Sequence, residues 1–194
     1  MDRLRIGVAL YNSGRYLAAH EPLEALWLGS PAGQRDDCIQ GVLQASVAVY
    51  KSQEGNDSGA AGLAKSAIGY LNVCEEIAVD DLLAWLGRLA ADPGLGRRER
   101  PPELRVECEA IDLDDLPPED AIAAVEAVAE TEGDELLETA AAYADADVRD
   151  GKETSPFVAL AVAYINTPRP IVRQRLREHV DRRRTRESDV EGLF

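Results

Sequence analysis

The chain has 194 residues, 45% of them hydrophobic and 5% aromatic, and a formal net charge of −15 from 36 acidic and 21 basic residues. That length supports a sizeable core, or a core with an appended subdomain, and the alanine-rich composition favours helix. The acidity argues against a broad nucleic-acid-binding face; the longest uncharged stretch, Thr154 to Pro168, is shorter than the roughly 20 residues a membrane span requires.

Of the basic residues only Lys51, Lys65 and Lys152 are lysines. High acid, scarce lysine and abundant small apolar residues fit a halophilic chain, because concentrated salt screens the self-repulsion. Cys38, Cys74 and Cys108 are widely separated and form no CxxC, so they read as reduced, mostly buried thiols. Arg3 and Arg5 precede only a short amphipathic run, which is not a signal peptide. A cytoplasmic, soluble protein is expected.

Leu4, Val8 and Tyr11 at helical spacing predict a first helix over Asp2–Asn12, with Gly14 just past its end. A second helix is expected from about Arg15 to Leu28, where Pro22 either kinks it or moves its start to near Ala19. On one continuous helix Tyr16, His20, Leu23 and Trp27 fall within about 60° of one another. Glu24 then lies at the edge of that face and Glu21 further round. After the Gly29–Gly33 turn cluster, Arg35–Gln53 is apolar on nearly every side, with Gln40, Gln44, Val47 and Lys51 in one row. Two glutamines in such a helix need partners, and the polar groups of the second helix are the simplest ones. Gly41 permits a close helix–helix approach. Beyond Gly55-Asn56, Ser58 or Asp57 is expected to cap a fourth helix that reaches about Asn72. A fifth, Asp80–Ala91, carries Leu82, Leu83, Leu86 and Leu89 beside Trp85.

The character changes at Asp92-Pro93-Gly94. From Gly96 to Ser155 there are 19 acidic residues and 6 basic ones. Leu104, Val106, Cys108 and Ala110 alternate with polar residues, the period of one short strand near 104–110. Pro117-Pro118 opens a further helix, Gly133-Asp134 divides it from the next, and Thr154-Ser155-Pro156 caps an apolar helix over Phe157–Ile165. Pro168 and Pro170 introduce an arginine-rich last helix, about Ile171–Arg184, expected to lie against the acidic segment. The fold class is therefore all-α: a compact multi-helix bundle over 1–92, with an acidic, mainly helical extension over 93–194 packed on it as one structural unit.

The stretch Tyr11–Trp27 nominates a site, centred on His20-Glu21-x-x-Glu24. His20 and Glu24 at i, i+4, and Glu21 and Glu24 at i, i+3, have spacings by which helical bundles hold a divalent metal. Such a metal would keep open positions for water and hence for hydrolysis. A second reading is a buried structural network in which Glu24 holds His20 while Gln40, Gln44 and Asn12 complete the hydrogen bonds. A third is a small-molecule pocket walled by Tyr16 and Trp27, with His20 as general base oriented by Glu24. Asp112, Asp114 and Asp115 read as a solvated turn, His179 as a packed surface residue, and Arg182–Arg184 as a solvated helix end.

The run Asn12-x-Gly14-x-Tyr16-x-x-x-His20-Glu21-x-x-Glu24-x-x-Trp27 resembles the signature of the helical domain-of-unknown-function family numbered 309. The likeness continues through Gln40-Gly41-x-x-Gln44 and Gly55-Asn56-x-x-Gly59, over about residues 4–72. It implies a small all-helical bundle without an established biochemical role. Members often carry a histidine near the end of the third helix; this chain has Lys51 there, so that helix offers no second imidazole. The expected function is a binding or interaction module with a His–Glu–Gln polar network, taking a small-molecule ligand or forming a homodimer. The runner-up is a metal-assisted or histidine-based hydrolase, or a small-molecule-binding enzyme, built on the HExxE site.

Overall fold

A computed structural model describes residues 1–152 and 154–191. The described residues form two compact units, one of residues 2–112 and the other from residue 113 to residue 191 with Met1. The division thus falls after Asp112 and not at the composition change near residue 92.

In the first unit, helix α1 (Arg3–Asn12) starts under Asp2, whose carboxylate accepts from the Arg5 N–H. It ends at Gly14, which takes φ +85°, a left-handed conformation that only glycine adopts without strain. Residues 15–19 form turns, and α2 (His20–Leu28) begins only at His20. Pro22 then occupies the third helical position, where its missing N–H would have had no helical acceptor. Of the two outcomes expected for Pro22, the late start is the one observed.

Asp36 caps α3 (Asp37–Gln53) by accepting from Cys38 and Ile39, and α3 is buried along most of its length. α3 packs on α4 (Asp57–Leu71) closely enough that a Cβ at Gly41 would lie 2.8 Å from the Leu71 side chain. Asn56, and not Ser58 or Asp57, caps α4, its side-chain oxygen accepting from Gly59 N at 3.0 Å. The antiparallel α3–α4 pair sets Cys38, at the start of α3, beside Cys74, just past α4, and the two form a disulfide. The expectation of three reduced, mostly buried thiols is corrected accordingly: Cys108 alone is free, and it is exposed. Nothing in the local spacing announces the bridge, because helix packing closes it across 36 residues.

α5 (Asp80–Ala91) buries Leu82, Trp85, Leu86 and Leu89 against α4. The following segment is clasped to the end of α3. Ser52 Oγ donates to the Pro93 carbonyl and accepts from Gly96 N, while Arg97 donates to the Ser52 carbonyl at 2.7 Å. This clasp is one reason the division lies beyond residue 92. The expected single strand over 104–110 is instead a hairpin, with β2 (Arg105–Val106) between β1 (Ile77–Ala78) and β3 (Glu109–Ala110), all antiparallel. Its two turn residues, Glu107 and Cys108, have φ of 51° and 71°, the primed geometry of a two-residue hairpin loop. The alternation that suggests one strand therefore spans a reversal of the chain.

Among the described residues the second unit opens with a 3-10 turn, Leu113–Asp115, and has four α-helices: α6 (Pro118–Glu132), α7 (Glu135–Arg149), α8 (Pro156–Asn166) and α9 (Pro170–Glu191). Asp134 caps α7 through the Leu136 and Leu137 N–H groups, and Ser155 caps α8 through Phe157 N. α9 meets α7 through ion pairs, Arg173 with Asp134 and Arg183 with Asp147, as the charge segregation implies. Asp147 is 3% exposed, and it also accepts from Lys152 and from Ser155 Oγ. Burial alone would raise its carboxyl, but these donors outweigh burial and hold it below the usual carboxylate value. Among the described residues no helix is long and apolar enough to cross a membrane.

Candidate functional site

Because α2 starts at His20, the nominated face does not exist as one helical stripe. His20 sits in the first turn, its side chain about one-third exposed (32%), and its Nδ1 lies 3.9 Å from Glu24 Oε2. That distance is an electrostatic contact one helical turn apart, too long for a hydrogen bond. Glu24 is half exposed, and Glu21 is exposed on the same turn. Among the described residues no three His, Cys, Asp or Glu side chains gather where they could hold a metal ion. His20, Glu21 and Glu24 thus supply a pair and not a coordination set.

Tyr16 lies in the turns before α2 and is buried against Tyr11, the rings edge-on with centroids 5.2 Å apart. Burial pushes the Tyr16 phenol up, and a hydrogen bond from Arg100 with its positive charge pulls it part of the way back. The Tyr11 phenol is raised further, by its own burial and then by Tyr16. Arg100 also donates to the Asn12 carbonyl at 3.1 Å. Together with Pro101, Pro102 and Glu103, these groups enclose a cavity of about 170 Å³. Arg100 belongs to no nominated motif. Its only sequence signal is a cation next to a Pro-Pro pair in a stretch of coil.

Asn12 is not a partner of His20. Its amide donates to the carbonyls of Leu104 at 3.0 Å and Ile111 at 3.1 Å, and its oxygen accepts from Leu104 N at 2.8 Å. One side chain therefore pins both ends of the β2–β3 hairpin to the end of α1. Asn56 works elsewhere, as the α4 cap. Trp27 lies under the Arg35 guanidinium, 4.2 Å from its ring centroid. Among the described residues the buried Tyr11 hydroxyl, Trp27 Nε1, Arg35 Nε, Gln40 Oε1, Gln44 Oε1 and, on α5, Trp85 Nε1 have no hydrogen-bond partner. The expected continuous His–Glu–Gln network is thus not assembled: His20 faces Glu24, Asn12 serves the hairpin, and both glutamine oxygens stand unbonded.

The second unit holds a larger concavity of about 770 Å³, lined by α8, α9 and the chain before α8, that no nominated motif covers. His179, Arg182, Arg183 and Arg186 share one face of α9 by their spacing, a pattern that a solvated helix face shows equally.

Residues 4–63 match the family model described as Domain of unknown function (DUF309), which is consistent with a DUF309-like helical domain over that stretch. The match ends inside α4. An uncharacterized protein of Aquifex aeolicus (strain VF5) is 27% identical over 99 residues, covering 49% of this chain and 29% of that protein. The chain spans under a third of the length of this curated relative.

Proposed function

We propose that the first unit is a helical binding module that takes a small polar ligand, with Tyr11 on α1, Trp27 on α2 and Gln40 and Gln44 on α3 as candidate contacts. The observation that carries this reading is the set of four buried polar atoms on these residues without a partner among the described residues. Leaving a buried donor or acceptor unbonded costs about 1–3 kcal/mol, so such groups are kept where something outside the fold bonds them. Other members of the signature are explained by architecture, Gly14 and Asn56 as caps, Gly41 as a close contact and Asn12 as the hairpin anchor. The glutamines are not.

The test replaces the glutamine acceptors by apolar side chains of similar length. Gln40→Met/Gln44→Met should melt at or slightly above wild type, because two unbonded oxygens are removed. In a thermal-shift screen of small polar metabolites, compounds that stabilise wild type should no longer stabilise the variant. A double variant that melts far below wild type would sink the idea, since the glutamines would then be structural. A histidine-based hydrolase is favoured by one observation, the carboxylate held near His20; ester hydrolysis lost in His20→Ala, with its fold intact, would support it. A bound divalent metal is checked by elemental analysis of the same preparations. A cytoplasmic setting and a homodimer belong to this proposal too. The first is tested by the redox state of Cys38 and Cys74 in cells, the second by sedimentation of the purified chain.

A further inference from the structure

The concavity of the second unit has its own chemistry. α9 contributes His179, Arg182, Arg183 and Arg186, and Phe157 and Pro156 at the start of α8 supply apolar wall. The volume of about 770 Å³ is that of a small-molecule site. Among the described residues its lining includes four cations, with Lys152 the fourth, and two carboxylates, Asp147 and Glu187. In a chain of net charge −15 this is a local surplus of positive charge.

The cations are not equivalent. Arg183 reaches Asp147 at 2.6 Å and Glu187 at 3.1 Å, its guanidinium lying 4.4 Å from the centroid of Tyr143; it fastens α9 to α7. Lys152 is committed to Asp147 as well. Arg182 and Arg186 are different. Arg182 uses its Nε on the Glu178 carbonyl of its own helix. Among the described residues neither arginine has a carboxylate partner. They stand one helical turn apart, where two like charges repel by a few tenths of a kcal/mol unless an anion lies between them. His179 stands beside them, its ring edge-on to Phe157 at 6.2 Å. Its burial, and then the charge of Arg182, keep it below its ordinary pKa against the pull of Glu178, so near neutrality it is an uncharged donor.

We infer that this groove binds a small phosphate monoester bearing an aromatic or other apolar group, with the phosphate between Arg182 and Arg186 and the apolar part against Phe157 and Pro156. A dianion matches the surplus of two positive charges among the described lining residues, and guanidinium forks bond phosphate oxygens in pairs. The apolar wall gives the rest of the molecule a surface that water solvates poorly. This site is independent of the polar atoms of the first unit, so either can fail without the other.

The experiment is titration calorimetry of the full chain with phenyl phosphate, inorganic phosphate and phenol, at the lowest salt that preserves the native far-UV spectrum. Phenyl phosphate is expected to bind one to one and more tightly than either fragment. Arg182→Ala/Arg186→Ala should weaken it by at least about tenfold, the loss of one charge-assisted hydrogen bond or more. Arg175→Ala, an exposed arginine of α9 outside the groove, should leave it within about twofold, as expected for a screened surface charge. All three side chains are exposed, so the variants keep the fold. No binding, equal binding of phosphate and phenyl phosphate, or equal losses in the Arg175 control and the double variant would each overturn the inference.

Discussion

Asn12→Ala tests how the first unit is held together. The substitution removes two donated bonds, to the Leu104 and Ile111 carbonyls, and one accepted from Leu104 N. Leu104 is 0% exposed and Ile111 1%, so water reaches their backbone poorly once the amide is gone. At about 1 kcal/mol net per bond, with a further penalty for a buried N–H left unbonded, the loss is about 3–4 kcal/mol. For a unit of this size that lowers the melting temperature by about 12–16 °C. Ser13→Ala is the neighbouring control: it deletes a single bond, from Ser13 Oγ to the Leu10 carbonyl within the same helix end, and should cost about 1 kcal/mol. Urea titration followed by circular dichroism gives the free energies, and amide exchange at Leu104 reports the hairpin directly. If Asn12→Ala and Ser13→Ala cost the same and Leu104 exchanges at the wild-type rate, Asn12 is not the anchor described here.

Reducing the Cys38–Cys74 bridge, or replacing both residues by serine, frees a loop of 36 residues and should remove about 4 kcal/mol on a chain-entropy basis; denaturant midpoints with and without dithiothreitol measure it. Gly41→Ala drives a methyl group against Leu71 and should cost about 1–3 kcal/mol by overpacking, seen in the same titration. Asp147 has its carboxyl held low in the folded state, so its stabilising contribution is fully present above the ordinary carboxylate value near about 3.9 and fades as the pH falls through the lower native value. Asp147→Asn should lower stability at pH 7 by about 2–3 kcal/mol and flatten the acid limb of the stability curve. Finally, the melting temperature should rise as potassium chloride is added, because screening relieves the repulsion of the net −15 charge; a flat or falling curve would remove the salt-adaptation reading.

The parts of this protein that were legible in its sequence are those governed by neighbours along the chain. Periodicity located α3 and α5, Gly14 and Gly133-Asp134 marked helix ends, and Ser155 marked a cap, because each acts within a turn or two. Pro22 allowed two outcomes, and local rules do not choose between a kink and a late start; that choice decided whether Tyr16 shares a helix with His20. The features that escaped are all closed by tertiary packing. The disulfide, the Ser52 clasp, the pairing of Arg100 with Tyr16 and the reversal at Glu107-Cys108 each join residues whose meeting depends on other elements being in place. The groove on α9 escaped for a different reason, since an arginine run on a helix end looks the same in sequence whether it faces water or a concavity.

The anchor at Asn12 has a consequence in time. Its hydrogen-bond partner Leu104 lies 92 residues further along the chain. At a synthesis rate of about 5–20 residues per second, α1 waits roughly 5–20 s before the segment that completes it has been made. Through that interval the end of α1 carries an amide without its carbonyls and the apolar side chains of a helix not yet covered. Until then the end of α1 is open to a chaperone or to aggregation as the protein is born.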